Sequence, residues 1–329
     1  MSTLHCQLWS RLHQTADVEF ISGLDPRTRI AEAASSLFAH ADYPLANSLD
    51  YPGDPGLFGP QSVTWRVVGD VSTFIGGIRA LLIQAAHPEV VAGVVDHSVY
   101  ESDPLGRLSR TSAYVTATSY GAMPEVQAAL RKVRIAHVGV EGVSHRARPY
   151  SASGATYAAW VHNVLADSFL AGYEVFGPRP ITDADSDRYV QEQAGLGALV
   201  LATDLPGTRS DLARWISQHP DVDSSPGMVQ TVAFLRDPPL PPTVLPAYRI
   251  LFQAAASTVP SRIAEILDIK RYAWSLPSGN ALTKALRWSL GASPSWQLAL
   301  ERTGGTQPQG VSFLRPAPIG TAHDRGNNP

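Results

Sequence analysis

Apolar residues in this chain recur at steps of three and four, and no segment alternates apolar and polar residues for more than a few positions. That periodicity predicts helices and no sizeable sheet, so the sequence reads as all-α. Ser102-Asp103-Pro104 is a helix start, a capping side chain followed by proline. The helix it opens is expected to run to about Tyr120, and Pro124 opens a second that ends near Gly142. Gly121 and Gly142 are expected to supply the left-handed residues that helix ends favour. Thr182-Asp-Ala-Asp185 resembles a capping box, with Asp in place of Glu. Further helices are expected over Ala31–Ala39, Thr156–Val175, Ser210–His219, Ser224–Leu235, Tyr248–Val259, Ser261–Ile269 and Gly279–Leu290. Tyr43–Pro60 and His145–Ser153 read as loops, and Asp237–Thr243 as a rigid proline-rich turn.

One buried helix is expected over roughly Thr64–Ala86, stopping at His87-Pro88 because proline disfavours a helical predecessor. Pro88 then restarts a short helix to Val95. Within it Val67–Ala86 is apolar over nearly the length of a bilayer span. Asp70, Arg79 and Gln84 interrupt that stretch and a Gly-Gly pair weakens it, so it reads as a core helix and no transmembrane span is expected. The organisation expected is an N-terminal helical segment over 1–20, one all-α domain over 21–303, and a disordered tail over 304–329 rich in Gly, Pro, Gln and Asn.

Charged residues make up 17% of the 329 positions, below the usual quarter, which implies that much surface is buried or covered by a ligand or partner. The net charge of −3 gives no basic patch for nucleic acid. Cys6 is the only cysteine, so no internal disulfide forms, and a reducing, cytoplasmic location is expected. The first residues lack the basic start and apolar core of a signal peptide.

Two consecutive helices carry polar groups that the fold alone does not require. On the second, Val126, Ala129 or Leu130, Val133, His137 and Val140 form one stripe, which predicts that His137 faces the interior. A core histidine with hydrogen-bonded ring nitrogens satisfies that pattern, and so does a metal ligand. No second histidine lies four residues away and there is no His-x-x-Glu partner, which argues against a zinc or di-iron site on this helix. On the first, Arg107, Arg110, Thr111 and Tyr114 share a face. The arginines fit either surface pairing with Glu101 or Asp103, or a clamp for carboxylates beside a cofactor. His162 is a reserve metal ligand, and His87 and His97 flank a short helix as capping groups. Asp183, Asp185 and Asp187 imitate a calcium loop without its glycine and glutamate. Walker, dinucleotide and nucleophile-elbow motifs are absent.

A run of landmarks between Trp65 and Glu192 resembles the rubber oxygenase (latex clearing protein) and MpaB-type oxygenase family. They are Leu81-Leu-Ile-Gln-Ala-Ala-His87-Pro88, His97-Ser98, Asp103-Pro104-Leu-Gly-Arg107-Leu-Ser-Arg110-Thr111, Val133-Arg134-Ile-Ala-His137, Tyr150-Ser151-Ala152, Trp160-Val-His162 and Asp187-Arg188-Tyr189. The resemblance implies an all-α fold with a globin-like core and haem b. It implies that the Arg134-x-x-His137 motif supplies the iron's proximal ligand, with Arg107, Arg110 and Thr111 on the oxygen-binding side. Rubber-cleaving members carry a lysine where Arg110 stands, and that lysine can approach the iron. Arginine does not readily deprotonate, so the resting iron here is expected to be five-coordinate or to carry water. The family's acidic residue upstream of the arginine motif has only Asp96 and Glu89 as stand-ins, and neither is assigned.

Two function classes follow. In the first the chain is a haem-dependent oxygenase taking dioxygen and a small apolar substrate, isoprenoid- or lipid-like. Latex clearing proteins are normally secreted and no signal is read in these first residues, so an extracellular polymer is not the expected substrate. In the second the chain is a non-enzymatic helical protein that binds a hydrophobic ligand or haem. Oligomeric state is not legible in the sequence.

Overall fold

The computed structural model describes residues 25–99 and 101–305. The N-terminal segment 1–20, Cys6 and nearly all of the tail lie outside the described residues. Fourteen α-helices are described: α1 (Pro26–Ser36), α2 (Val63–Val68), α3 (Thr73–Ala85), α4 (Pro88–His97), α5 (Pro104–Tyr120), α6 (Met123–His137), α7 (Ala155–Phe176), α8 (Asp183–Leu199), α9 (Arg209–Ser217), α10 (Pro226–Arg236), α11 (Leu245–Thr258), α12 (Ser261–Ile266), α13 (Ser275–Leu290) and α14 (Pro294–Thr303). Between α6 and α7 lie two three-residue strands, β1 (Glu141–Val143) and β2 (Pro149–Ser151), paired antiparallel with Gly142 opposite Tyr150. The fold is all-α, with this hairpin as its one departure among the described residues.

Local chemistry sets the helix starts. Asp103 accepts the backbone N–H of Gly106, Thr182 that of Asp185, Thr208 that of Asp211 and Ser225 that of Met228. Each closes one of the donors a helix N-terminus leaves open. Proline occupies the first turn of α4, α5 and α6, where its missing N–H costs nothing.

The expected helix over Thr64–Ala86 is instead two, α2 and α3, with a break at Gly69–Ser72. Gly69 sits where a side chain would strike the Trp296 ring, and Asp70 turns inward to accept the N–H of Ser72 and a two-pronged bond from Arg287 at 2.6 and 2.8 Å. No described helix is long and apolar enough to cross a membrane, and α3 and α4, which together would be, are bent by 104°.

The main core forms where α3 packs along α7. A Cβ on Gly76 would lie 2.8 Å from the carbonyl oxygen of Ser168, and one on Gly172 3.0 Å from that of Ser72. These glycines let the two backbones touch. Arg79 and Gln84 of the apolar stretch find partners across the same contact. Arg79 pairs with Asp167 at 2.6 Å, both almost wholly buried, and Asp167 also accepts from Arg209 at 2.8 Å. A second cluster stacks Trp65, Tyr120 and Trp296 over Leu45, and a third joins Val126 and Leu130 of α6 to Leu196 of α8.

Two expected helix ends differ. Gly121 has φ −66° and is extended, and Gly142 lies in β1; the left-handed residue after α6 is Gly139, φ 75°. A Cβ on Gly142 would meet the Tyr150 hydroxyl at 2.5 Å, so glycine is required there by crowding rather than by backbone twist.

Candidate active site

Helices α5 and α6 meet at Gly121-Ala122, and that corner is held from within α6 and from outside both helices. Asp54 accepts the N–H of Met123 at 2.9 Å, Glu125 accepts that of Ala122 at 2.8 Å, and Arg302 of α14 donates to the carbonyl of Asp54 at 2.8 Å. Gly56 approaches the Gly121 carbonyl so closely that a Cβ would overlap it at 2.0 Å. The buried residues of α6 are Glu125, Val126 and Leu130, all in its first half. Tyr114 of α5 still packs against the cluster formed by Val126, Leu130 and Leu196. Burial there pushes its hydroxyl up to about 12, so it stays protonated at any ordinary pH.

Beyond that cluster the cover ends. Every residue from Arg131 to Gly139 is exposed except half-buried Val133. His137 is therefore exposed, not on a buried face as its apolar stripe predicts. The stripe is buried at Val126 and Leu130, but its far end at His137 is exposed. Nearby protein nonetheless desolvates the His137 ring and lowers its pKa. Among the described residues no hydrogen bond or ion pair engages the ring. Ile135 and Val138 beside it are 72% and 77% exposed, the highest values of any large apolar side chain described.

The arginine face of α5 is divided in role. Arg107 is half-buried and donates to the Ser98 hydroxyl at the end of α4, which joins two of the sequence landmarks. Arg110 is exposed and pairs at 3.0 Å with Asp103, the cap of its own helix, as the surface-pairing alternative has it. That guanidinium, with the Gly106 N–H, holds the Asp103 carboxyl below its usual range. Thr111 and Arg134 are exposed, and neither has a side-chain bond among the described residues.

The small hairpin fixes the segment that follows His137. Val140 donates to the carbonyl of His137 at 3.2 Å, and Ala152 to that of Val140 at 2.9 Å. From α4, His97 Nε2 donates to the carbonyl of Glu141 at 3.0 Å, and Tyr150 donates to Asp96 at 2.6 Å. Desolvation and the Asp96 bond together push the Tyr150 hydroxyl up to about 12. Nothing in the spacing of residues 96–150 announces these pairings, because they cross between separate elements. Of the two acidic stand-ins, Asp96 is thus committed to Tyr150, and Glu89 to Arg146 at 2.5 Å.

His162 takes another course. It is buried between α7 and α8, and its Nε2 donates to the carbonyl of Gln193 at 2.7 Å. Burial lowers its pKa to about 4. One ring nitrogen is claimed by a backbone carbonyl, and the ring is enclosed between the two helices.

Residues 65–290 match the family model described as the catalytic domain of the ER-bound oxygenase mpaB/B′ and rubber oxygenase. The chain belongs to this oxygenase family. The match covers about two thirds of the chain and takes in α2 to α13, so the helices that carry Arg107 and His137 lie inside it. No curated protein and no solved structure matches.

Proposed function

We propose that this member of the mpaB and rubber oxygenase family is a haem b-dependent oxygenase of a small apolar, isoprenoid- or lipid-like substrate, with residues 21–303 acting as one catalytic domain. The observation that carries the reading is His137: an imidazole with no partner among the described residues, at an exposed helix end, beside the two most exposed large apolar side chains described. Large exposed apolar groups mark binding surfaces, and a haem face is apolar.

The donor set suits the group. His137 would hold the iron through a ring nitrogen, and the lowering of its pKa keeps that nitrogen unprotonated at neutral pH. Arg134, one turn before it, presents fixed positive charge for the propionates. The haem would supply the dioxygen chemistry. Arg107, Arg110 and Thr111 would line the oxygen side, Arg107 set by its bond to Ser98 and Thr111 offering a hydroxyl donor. The globin-like core and the cytoplasmic location rest on the family resemblance and the cysteine usage respectively.

The absorption spectrum of the purified protein tests this. Haem-replete cells are expected to yield a Soret band that is lost in His137→Ala and kept in His162→Gln. A colourless protein from such cells, or a band that survives His137→Ala, overturns the assignment. Oxygen uptake with short alkenes then separates an oxygenase from a haem carrier.

A further inference from the structure

We propose that His87, His219 and Asp221 form a binding site for a zinc-like divalent metal ion, separate from the α5–α6 site. One donor atom from each lies within 4.8 Å of the others. Tetrahedral zinc, with bonds of about 2.0–2.1 Å, places its donors roughly 3.3 Å apart, so side-chain rotations of about an ångström close the set. His219 and Asp221 are half-buried on the loop between α9 and α10, which leaves an entry path, whereas His87 is 3% exposed at the start of α4.

The environment of His87 points to a ligand. Its Nδ1 is buried without a hydrogen bond and lies 3.4 Å from Glu89 Oε2. A carboxylate beside one ring nitrogen is the usual outer partner of a metal-bound histidine: it takes that N–H and turns the other nitrogen to the metal. Glu89 cannot easily leave that place, since Arg146 and Ser144 both donate to it. The His219 Nδ1 accepts only a long 3.3 Å bond, from the Asp221 backbone N–H. The imidazoles are boxed by rings: Tyr157 and Trp160 lie 5.7 and 5.6 Å from His87, and Trp160 and Trp215 lie 4.8 and 4.7 Å from His219.

The donor set selects the metal class. Two imidazoles and one carboxylate suit zinc or its neighbours and not magnesium or calcium, which take oxygen ligands. Arg148 already pairs with Asp221 Oδ1 at 2.7 Å, leaving Oδ2 for the ion. The site is one length of α4, about 15 Å, from the end of that helix that holds the His97 and Tyr150 bonds. A bound ion would staple the start of α4 to the α9–α10 loop, and through Arg146 and Arg148 to the turn between β1 and β2.

The full chain, stripped with chelator, is titrated with zinc against a chromophoric competitor, then with cobalt(II) as a spectroscopic stand-in. One tight equivalent is expected, with tetrahedral cobalt bands and quenching of tryptophan fluorescence from Trp160 and Trp215. His219→Ala and Asp221→Asn, both on a half-buried loop, are each expected to weaken zinc by at least roughly 100-fold, the upper cost of losing an outer partner alone. His137→Ala is expected to leave zinc binding unchanged whatever the haem result. No stoichiometric zinc at micromolar concentration, or an affinity unmoved in both loop variants, overturns the proposal. Loss of zinc in His137→Ala also overturns it. Circular dichroism checks that the variants keep their helices; if one unfolds, the other decides.

Discussion

His162 and His137 lie in the same family of landmarks and meet opposite fates. With its ring enclosed and Nε2–H held by Gln193, His162 has a folded pKa of about 4 against about 6.5 unfolded. The sign follows. Above about pH 6.5 both states are neutral and stability does not depend on this group. As pH falls the unfolded chain takes up the proton first, so stability is lost between about 6.5 and 4, by up to about 3 kcal/mol. Denaturant titrations across that window should show the fall in wild type and a flatter profile in His162→Gln. Asp167 is the other decisive residue. It is almost wholly buried between Arg79 and Arg209, and Asp167→Asn removes the charge that both arginines need. A loss of about 3–5 kcal/mol is expected by chemical unfolding; a loss under 1 kcal/mol would show that water reaches the pair.

Among the elements, the glycine contact of α3 and α7 and the hairpin clamp carry the predictions. Gly76→Val puts side-chain atoms into the Ser168 carbonyl and is expected to cost about 1–3 kcal/mol as overpacking. Gly77→Ala one residue on meets nothing within 4 Å, and is expected to be neutral or mildly stabilising in the same melt because alanine favours helix. Tyr150→Phe removes the donor to Asp96 and is expected to cost about 1 kcal/mol. This is also the scale at which the sequence can and cannot be read. Asp103 and Thr182 show as helix starts because capping is a matter of neighbours, and α5 ends at Tyr120 as its pattern predicts. The break before α3 is not legible, because the reason for it, Trp296, lies more than two hundred residues away. Strands of three residues have no alternation to detect. Periodicity places His137 on an apolar stripe, but it reports which face is apolar and not whether anything covers it.

For the whole molecule, the family match ends at residue 290, but the fold does not. Helix α14 contributes Trp296 to the ring cluster with Trp65 and Tyr120, and Arg302 to the corner of α5 and α6. Leu45 and Asp54 reach the same places from the other flank. Trp296→Ala is expected to cost about 3–5 kcal/mol in thermal or chemical unfolding, with the damage spreading to the corner that anchors both site helices. The bare second half of α6 has a consequence for measurement. Its last two turns are largely exposed, so their amide protons should exchange with solvent quickly when the protein is free of haem. If a haem seats on His137, those protons alone should slow sharply, and the polypeptide would have completed that helix with an atom it does not encode.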